Sequence, residues 1–410
     1  MEPDTWRVGL LVDDFPKLSE RFVALLASAL VERVDDLRIL TTAPRPEPPP
    51  HHAVVAQAGL LDRVHNARWS GRFDPRLAWK LGRGTGRVGL LGLAAMDAAL
   101  PRKPMAVTRM MARQPAFDVF HAQFGYMGKK ALRHRRYGTL RTRALVTHFR
   151  GSDITRHVRD HGPDYYADLM RGGDGFIANC EHFRQIAIGL GCPPERISVV
   201  GSPIDTDQFQ PPPHREPYRD RPLRLVAVGR LVGKKGLPDA VDAMARLDGL
   251  DATLDIYGEG PLREDLEHRI ATQGLGDRVV LHGAATGEQV LRALHGADAK
   301  LAPSVTAEDG DADAPVNTLK EAMATGLPVI ATRHGGIPEL VVPGRNGYLV
   351  PERDPSALAA AIRELASCPD DWTRMGEAGR ADVIDAYAMT RVTEKTLAVY
   401  DAAIRRAEGG

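Results

Sequence analysis

From residue 223 to residue 350 the chain alternates between short apolar runs and amphipathic stretches. The runs at 223–228, 253–257, 279–282, 299–302, 328–331 and 348–350 are short and rich in Val, Ile, Leu and Ala, so they read as strands. Between the first of them, 236–247 and 262–273 carry apolar residues at helical spacing. A strand that is apolar on both faces needs cover on both faces. Strand–helix alternation supplies that cover as a parallel sheet with helices above and below.

The first half repeats the pattern less regularly. Runs at 7–12, 37–41, 117–121, 144–147, 175–178 and 197–200 are strand candidates. Ser19 is expected to cap a helix over 20–34, in which Phe22, Leu25, Leu26 and Leu30 share one face. The segment PRPEPPPHH at 44–52 is loop, and 53–113 reads as helical. Five prolines in QPPPHREPYRDRP mark an extended connector. The expected division is therefore a first α/β domain over 1–208, a linker over 209–222 and a second α/β domain over 223–389. A last helix over 390–410, with Val392, Leu397, Tyr400 and Ile404 apolar, is expected to pack back on the first domain.

Charge follows the same division. Residues 1–200 hold 30 basic and 20 acidic side chains, and 201–410 hold 24 and 33, although the whole chain nets +1. Two domains meeting different ligands explain the split, and it is too weak to argue for nucleic acid. Cys180, Cys192 and Cys368 form neither a disulfide framework nor a metal-ligand spacing, and they suit a reducing cytoplasm. The start of the chain lacks a secretory pattern, and no apolar run reaches the roughly 18 residues a membrane span needs.

Two open parallel sheets place ligands beyond the carboxyl ends of their strands. Five segments fall there. In AEDGDADAPVNTLKEAMATG at 307–326, Asp313 precedes a helix that contains Glu321. Pro315 and Asn317 suit the helix start and Gly326 its end. Backbone N–H groups of Val316, Asn317 and Thr318 would face a phosphate, and the two acids would grip sugar hydroxyls. The plain alternative is an acidic loop before a capped helix. In GRLVGKKG at 229–236, Arg230 offers a guanidinium fork and Lys235 a point charge to a leaving diphosphate. A solvated basic turn is the alternative, and Walker spacing is absent. FPKLSE at 15–20, which includes Ser19, offers backbone amides to a phosphate from the first domain. His148, Arg150 and Asp153 follow one first-domain strand, and His121 and Gln123 end another. A structural role is the alternative for each histidine. KKALRHRRYGTLRTR at 129–143 is either a solvated basic face or a patch for an anionic acceptor or membrane surface. Asp309, Asp311 and Asp313 alternate, but the EF-hand spacing fails because Lys320 stands at the twelfth position.

Together these segments resemble the GT-B glycosyltransferases, specifically glycosyltransferase family 4. The resemblance rests on VGRLVGKKG, IYGEGPLREDL, VVLHG, the Asp313–Glu321 pair in EAMATGLPVIAT, GGIPEL and NGYLVPERDPSALAAAI. In the first half FPKLSE, FHAQFG, FRGSD and VVGSPIDTDQF also fit, and FPKLSE looks most like the colanic-acid exopolysaccharide branch. It implies two Rossmann-like parallel-sheet domains facing across a cleft, and retaining transfer of a sugar from a nucleotide-diphosphate sugar to an acceptor hydroxyl. The acceptor would be a polysaccharide, a lipid-linked sugar or a small molecule. Arg230 and Lys235 would hold the diphosphate, Glu321 the ribose and Asp313 the donor-sugar hydroxyls. Asn317 and Thr318 would contribute at the helix start, with Gly258, Glu259 and Gly283 on the nucleotide side and Ser19 opposite. No cofactor or metal is implied. The work would be cytoplasmic, with peripheral contact to the inner membrane through 129–143.

Two departures stand out. The first acid is Asp313 where the family has Glu, and Arg150 occupies the place of a His before Gly151. His148, two residues earlier on the same strand face, is one substitute; an anion contact by Arg150 is the other reading. Two further functions stay open on the sequence: a non-catalytic accessory subunit and a nucleotide-sugar epimerase on the same fold.

Overall fold

The computed structural model describes residues 4–17, 20–43, 53–67, 102–216, 218 and 220–409, excepting the side chains of 4–5 and 102–105. The chain divides into two compact units. The first comprises Met1–Asn179, Arg184–Val200 and Thr393–Gly410; the second comprises Cys180–Phe183 and Gly201–Val392.

The first unit is built on a parallel sheet of seven strands: β1 Asp4–Val12, β2 Val34–Thr41, β3 Val64–Asn66, β4 Phe117–Gln123, β5 Thr142–Phe149, β6 Gly175–Ala178 and β7 Ile197–Val199. Their order is β3-β2-β1-β4-β5-β6-β7. The second unit has six parallel strands: β8 Leu223–Val228, β9 Ala252–Tyr257, β10 Val279–Gly283, β11 Ala299–Ala302, β12 Val329–Thr332 and β13 Gly347–Val350. Their order is β10-β9-β8-β11-β12-β13. In each sheet the connection reverses direction once, at β1/β4 and at β8/β11. Ligands of open α/β sheets lie beyond such points.

Successive residues of the second sheet sort onto opposite faces, as the strand period demands. Leu225, Leu254, Leu301 and Ile330 join one buried cluster, and Val226, Ala302, Val329 and Ala331 join the other. Burial of each large side chain contributes roughly 1.5–3 kcal/mol. The two clusters explain why these strands read as continuous apolar runs.

The structure corrects the sequence reading in the first half. The stretch 53–113 is not uniformly helical, because Val64–Asn66 pairs as an edge strand with Ile39, Leu40 and Thr41. Residues 68–101 lie outside the described residues. The first helix runs Arg21–Val31 and stops short of 34, where Val34 enters β2. Its N-cap is Glu20, without a side-chain capping bond, and Ser19 lies outside the described residues. The proline-rich stretch 209–222 belongs to the second unit and is tied along it. Phe209 is buried there, Arg215 donates to the Ala297 and Thr325 carbonyls, and Arg221 forks onto Asp298 at 2.7 and 2.8 Å.

The last helix, Met389–Gly409, supplies Thr393–Gly410 to the first unit. A Cβ on Gly175 of β6 would lie 3.1 Å from Ala403, so a glycine there lets the helix settle close to the strand. The basic run 129–143 is largely paired within its own unit. Lys129 sits 3.3 Å over the Tyr165 ring, Lys130 is 3.6 Å from Asp13, and Arg143 bonds Asp118 at 2.8 Å. Arg135 and Asp174 also pair. Among the described residues no helix is long and apolar enough to cross a membrane.

Beyond the β8/β11 reversal the loops that leave these two strands meet at one glycine. Gly236 has φ +58°, and a Cβ there would lie 1.8 Å from the Pro303 carbonyl oxygen. Gly236→Ala is expected to lower stability by at least about 2 kcal/mol in urea unfolding. A loss below about 0.5 kcal/mol would show that the two loops part freely.

Candidate functional site

In the second unit β8 runs into a turn, Gly233–Lys235, and β11 into the loop that leads to the helix Asn317–Ala324. The turn brings Lys234 and Lys235 to Asp313. Lys235 Nζ donates to Asp313 Oδ2 at 2.7 Å, and Ser304 Oγ donates to the same oxygen at 3.1 Å. Lys234 Nζ lies 3.2 Å from Asp313 Oδ1 and 3.0 Å from Asp311 Oδ2. Burial alone would raise the Asp313 carboxyl, but the ammonium groups of Lys235 and Lys234 outweigh it and hold the group well below the usual carboxylate range. Burial likewise works against the Lys234 ammonium, and the carboxylates of Asp313 and Asp311 raise it.

The Asp313 backbone is fixed from below. Its N–H donates to His334 Nε2 at 2.9 Å. That nitrogen is therefore the unprotonated one, and Nδ1–H donates to Glu352 Oε1 at 2.7 Å. Glu352 also accepts from the Thr306 backbone at 2.7 Å. Gly335, at φ +50°, leaves room for the Asp313 carbonyl, which a Cβ would meet at 2.1 Å. Lys234, Lys235, Ser304 and His334 thus contact Asp313, with Asp311 paired to Lys234 and Glu352 bonded to His334.

The other sequence candidates of this unit lie on neighbouring loops and one helix. Arg230 is exposed on the loop after β8. Thr318 Oγ1 donates to the Val228 carbonyl at 3.0 Å, which ties the start of the helix to the end of β8. Asn317 Oδ1 accepts from Lys320 Nζ at 3.3 Å. Glu321 is half-buried on the same helix. Gly326 ends the helix as expected, at φ +72°, with its N–H on Met323 O and Leu327 N–H on Ala322 O. Gly258 N–H donates to Gly283 O at 2.7 Å, and a Cβ on Gly258 would meet Gly229 O at 1.8 Å. These glycines press three loops together. Glu259 pairs with Arg263 at 2.8 Å and lies over Gly283. Lys300, buried in β11, carries no sequence signal because it sits inside an apolar strand. Burial pushes its ammonium down to about 7, against the pull of the Glu321 carboxylate.

The first unit gathers His121, Gln123, His148, Arg150 and Asp153 in a buried cluster at the carboxyl ends of β4 and β5. Arg150 Nε donates to Gln123 Oε1 at 2.8 Å, so Gln123 turns its amide nitrogen to His121 Nε2 at 3.1 Å. His121 then carries its proton on Nδ1 and donates it to Tyr400 at 2.7 Å. His148 stacks on His121 with centroids 5.7 Å apart and shares Asn179 Oδ1 with Arg150, at 2.8 and 3.3 Å. Arg150 lies one residue beyond β5, and its side chain and that of His148 reach the same Asn179 oxygen. The Arg150 guanidinium also lies 4.3 Å over the Phe22 ring. Burial pushes it down to about 9, while the carboxylates of Asp153 and Glu20 support it. Asp153 is buried and ties two loops: it accepts the backbone N–H groups of Gly125, Gly151 and Arg150 at 2.7–2.9 Å. Asn179 and Tyr400 complete the cluster from distant segments, and no local pattern announces them.

Among the described residues no group of three or more His, Cys, Asp or Glu is arranged to hold a metal. A cavity of about 490 Å³ in the second unit, lined by residues including Asp255, Tyr257, His282 and Arg292, contains none of the expected donor ligands.

The family model described as Glycosyltransferase Family 4 matches residues 19–208, and the one described as Glycosyl transferases group 1 matches residues 222–368. The chain is 31% identical over 389 residues to the putative colanic acid biosynthesis glycosyltransferase WcaL of Escherichia coli (strain K12), covering 89% of this chain and 92% of that protein. It is 32% identical over 388 residues to the amylovoran biosynthesis glycosyltransferase AmsK of Erwinia amylovora, covering 90% and 93%. Of solved structures, Anabaena Alr3699/HepE in complex with UDP and glucose superposes with a TM-score of 0.73 at 18% identity, over 97% of this chain and 99% of that one. Sucrose-phosphate synthase (tll1590) from Thermosynechococcus elongatus gives 0.71 at 18% identity, over 96% and 98%. At that identity the two structures speak for the fold alone: the GT-B fold, built on two Rossmann-like domains.

Burial pushes His121 down to about 3 and His148 well below its ordinary value. Folded, both stay neutral; unfolded, each takes a proton below about pH 6.5. Stability is therefore lost as pH falls from about 6.5 toward the folded values, by up to about 1.4 kcal/mol per pH unit for each ring. His121→Gln is expected to remove about one ring's share of that slope, read from urea midpoints between pH 6.5 and 5. An unchanged slope would mean that His121 protonates readily when folded.

Proposed function

The chain belongs to glycosyltransferase family 4, and from that premise we infer that it moves a sugar from a nucleotide-diphosphate sugar to an acceptor hydroxyl with retention of configuration. The observation that carries this reading is the convergence of Lys235 on Asp313, 2.7 Å apart, beyond the β8/β11 reversal. Arg230, exposed on the same loop as Lys235, adds a second cation.

In this reading Arg230 and Lys235 meet the diphosphate and offset the charge that grows on it as it leaves. Glu321 holds the ribose, and Asp313 meets donor-sugar hydroxyls from a carboxylate one methylene shorter than Glu. The start of the helix Asn317–Ala324 offers its N-terminal dipole to phosphate. Gly258, Glu259 and Gly283 line the nucleotide side. The bond from the anomeric carbon to phosphate breaks, the bond to the acceptor oxygen forms on the same face, and the acceptor proton passes to a phosphate oxygen. With two cations assigned to the diphosphate, the reading requires no metal.

The acceptor is a saccharide hydroxyl, on the pattern of relatives named for colanic acid and amylovoran biosynthesis. His121, His148, Arg150 and Asp153 are buried and bonded to one another or to backbone, which supports a role in shaping the loops beyond β4 and β5 over direct contact with sugar. We place the work in the cytoplasm, a reading the free Cys180, Cys192 and Cys368 support.

Donor turnover with a panel of UDP-, GDP-, ADP- and dTDP-sugars tests this. Lys235→Met and Arg230→Ala are each expected to lower kcat by about 10²–10³. Glu321→Ala is expected to raise the donor KM by at least tenfold, a loss of about 1.4 kcal/mol. Folded protein inactive with every donor would sink the reading. Conversion of donor to an isomer without acceptor would replace it with the epimerase.

A further inference from the structure

Lys235 faces two demands. Its ammonium lies on Asp313 Oδ2, and the functional reading above, on which this inference rests, sends the same ammonium to the diphosphate. Both cannot be met at full strength. Asp313 is 8% exposed, and a buried carboxylate stripped of its cation is strongly disfavoured. Something must hold Asp313 while Lys235 is away.

We propose that Lys234 is a positioning residue that keeps the Asp313 carboxylate paired and in place while Lys235 moves from it to the donor diphosphate. The two carboxylate oxygens divide the work. Oδ2 takes Lys235 and Ser304; Oδ1 takes Lys234. When Lys235 leaves, one cation and one hydroxyl remain, one on each oxygen. Lys234 is the lysine built to stay. It bridges two carboxylates, Asp311 and Asp313, whereas Lys235 holds one, although the two side chains are similarly buried. Lys235 is the one built to move. Its stem runs beside Gly229, whose Cβ position lies 3.5 Å from Lys235 Cδ, next to Arg230 at the end of β8. The Asp313 backbone does not follow it, because His334, Glu352 and Gly335 fix that peptide separately. The four charges also balance in pairs, Lys234 and Lys235 against Asp311 and Asp313. The cluster therefore starts neutral, and a diphosphate has to compete with Asp313 for Lys235.

A thermodynamic cycle tests this in the full chain. UDP, GDP, ADP and dTDP are titrated calorimetrically into wild type, Lys234→Met, Asp313→Asn and the double variant, with Asp313→Ser as a second neutral background. Lys234→Met is expected to weaken the nucleoside diphosphate that wild type binds by about tenfold, because Asp313 then holds Lys235 back. In either neutral background the same substitution is expected to change affinity by less than about twofold. Lys234→Arg, which keeps the charge, is expected to stay within about threefold of wild type. A tenfold loss that persists without the Asp313 charge would mean that Lys234 grips the diphosphate itself, and it would overturn the proposal. So would an unchanged affinity in Lys234→Met. Wild type that melts as a folded protein yet binds none of the four overturns the nucleotide-sugar reading, and this inference with it.

Discussion

A carboxylate taken out of water must be met by cations and donors, or the fold that buries it does not persist. Asp313 sets that requirement for the second unit. Lys234 and Lys235 come to it from the turn after β8, Ser304 from the strand end after β11, and His334 from the loop after β12. Three segments that the sheet brings side by side are bound at one residue. The glycines at 236 and 335 follow from the same crowding, since each gives way to a carbonyl oxygen that a side chain would strike.

Much of this architecture was legible in the chain. Strands buried on both faces leave continuous apolar runs, so the second sheet could be read nearly element by element. Arg230, Lys235, Asp313 and Glu321 could be singled out because the segments that carry them follow strands of an open parallel sheet, where ligands lie, and because those segments resemble a known family. The stretch 53–113 was not legible. Its strand is three residues long and exists through pairing with β2, not through its own pattern. The partners of Asp313 were hidden for a related reason. His334 lies 21 residues away along the chain and Lys235 lies 78, and no local period links them. Lys300 was concealed differently, as one ammonium inside a run that otherwise reads as buried strand.

The two polar centres differ in kind. The second-unit centre is ionic, with two ammonium groups against two carboxylates. The first-unit centre is mostly a hydrogen-bonded one: two stacked imidazoles, two amides and a phenol around one guanidinium, with the Asp153 carboxylate held on backbone N–H groups beside it. Neutral hydrogen-bonded networks specify geometry without drawing a counter-ion, while ionic ones respond to any charge brought near them.

Tyr400, hydrogen-bonded to His121 from 279 residues away, carries a consequence for how the molecule is made. The first unit is begun by the opening residues and closed by Thr393–Gly410, while the second is contained within Cys180–Phe183 and Gly201–Val392. During synthesis the second unit therefore has its whole sequence before the first does. The His121 cluster lacks its phenol until the helix Met389–Gly409 has been made. Domains in general fold in the order they are translated. Here the threading of the chain reverses that order, and the unit that starts first is the one that finishes last.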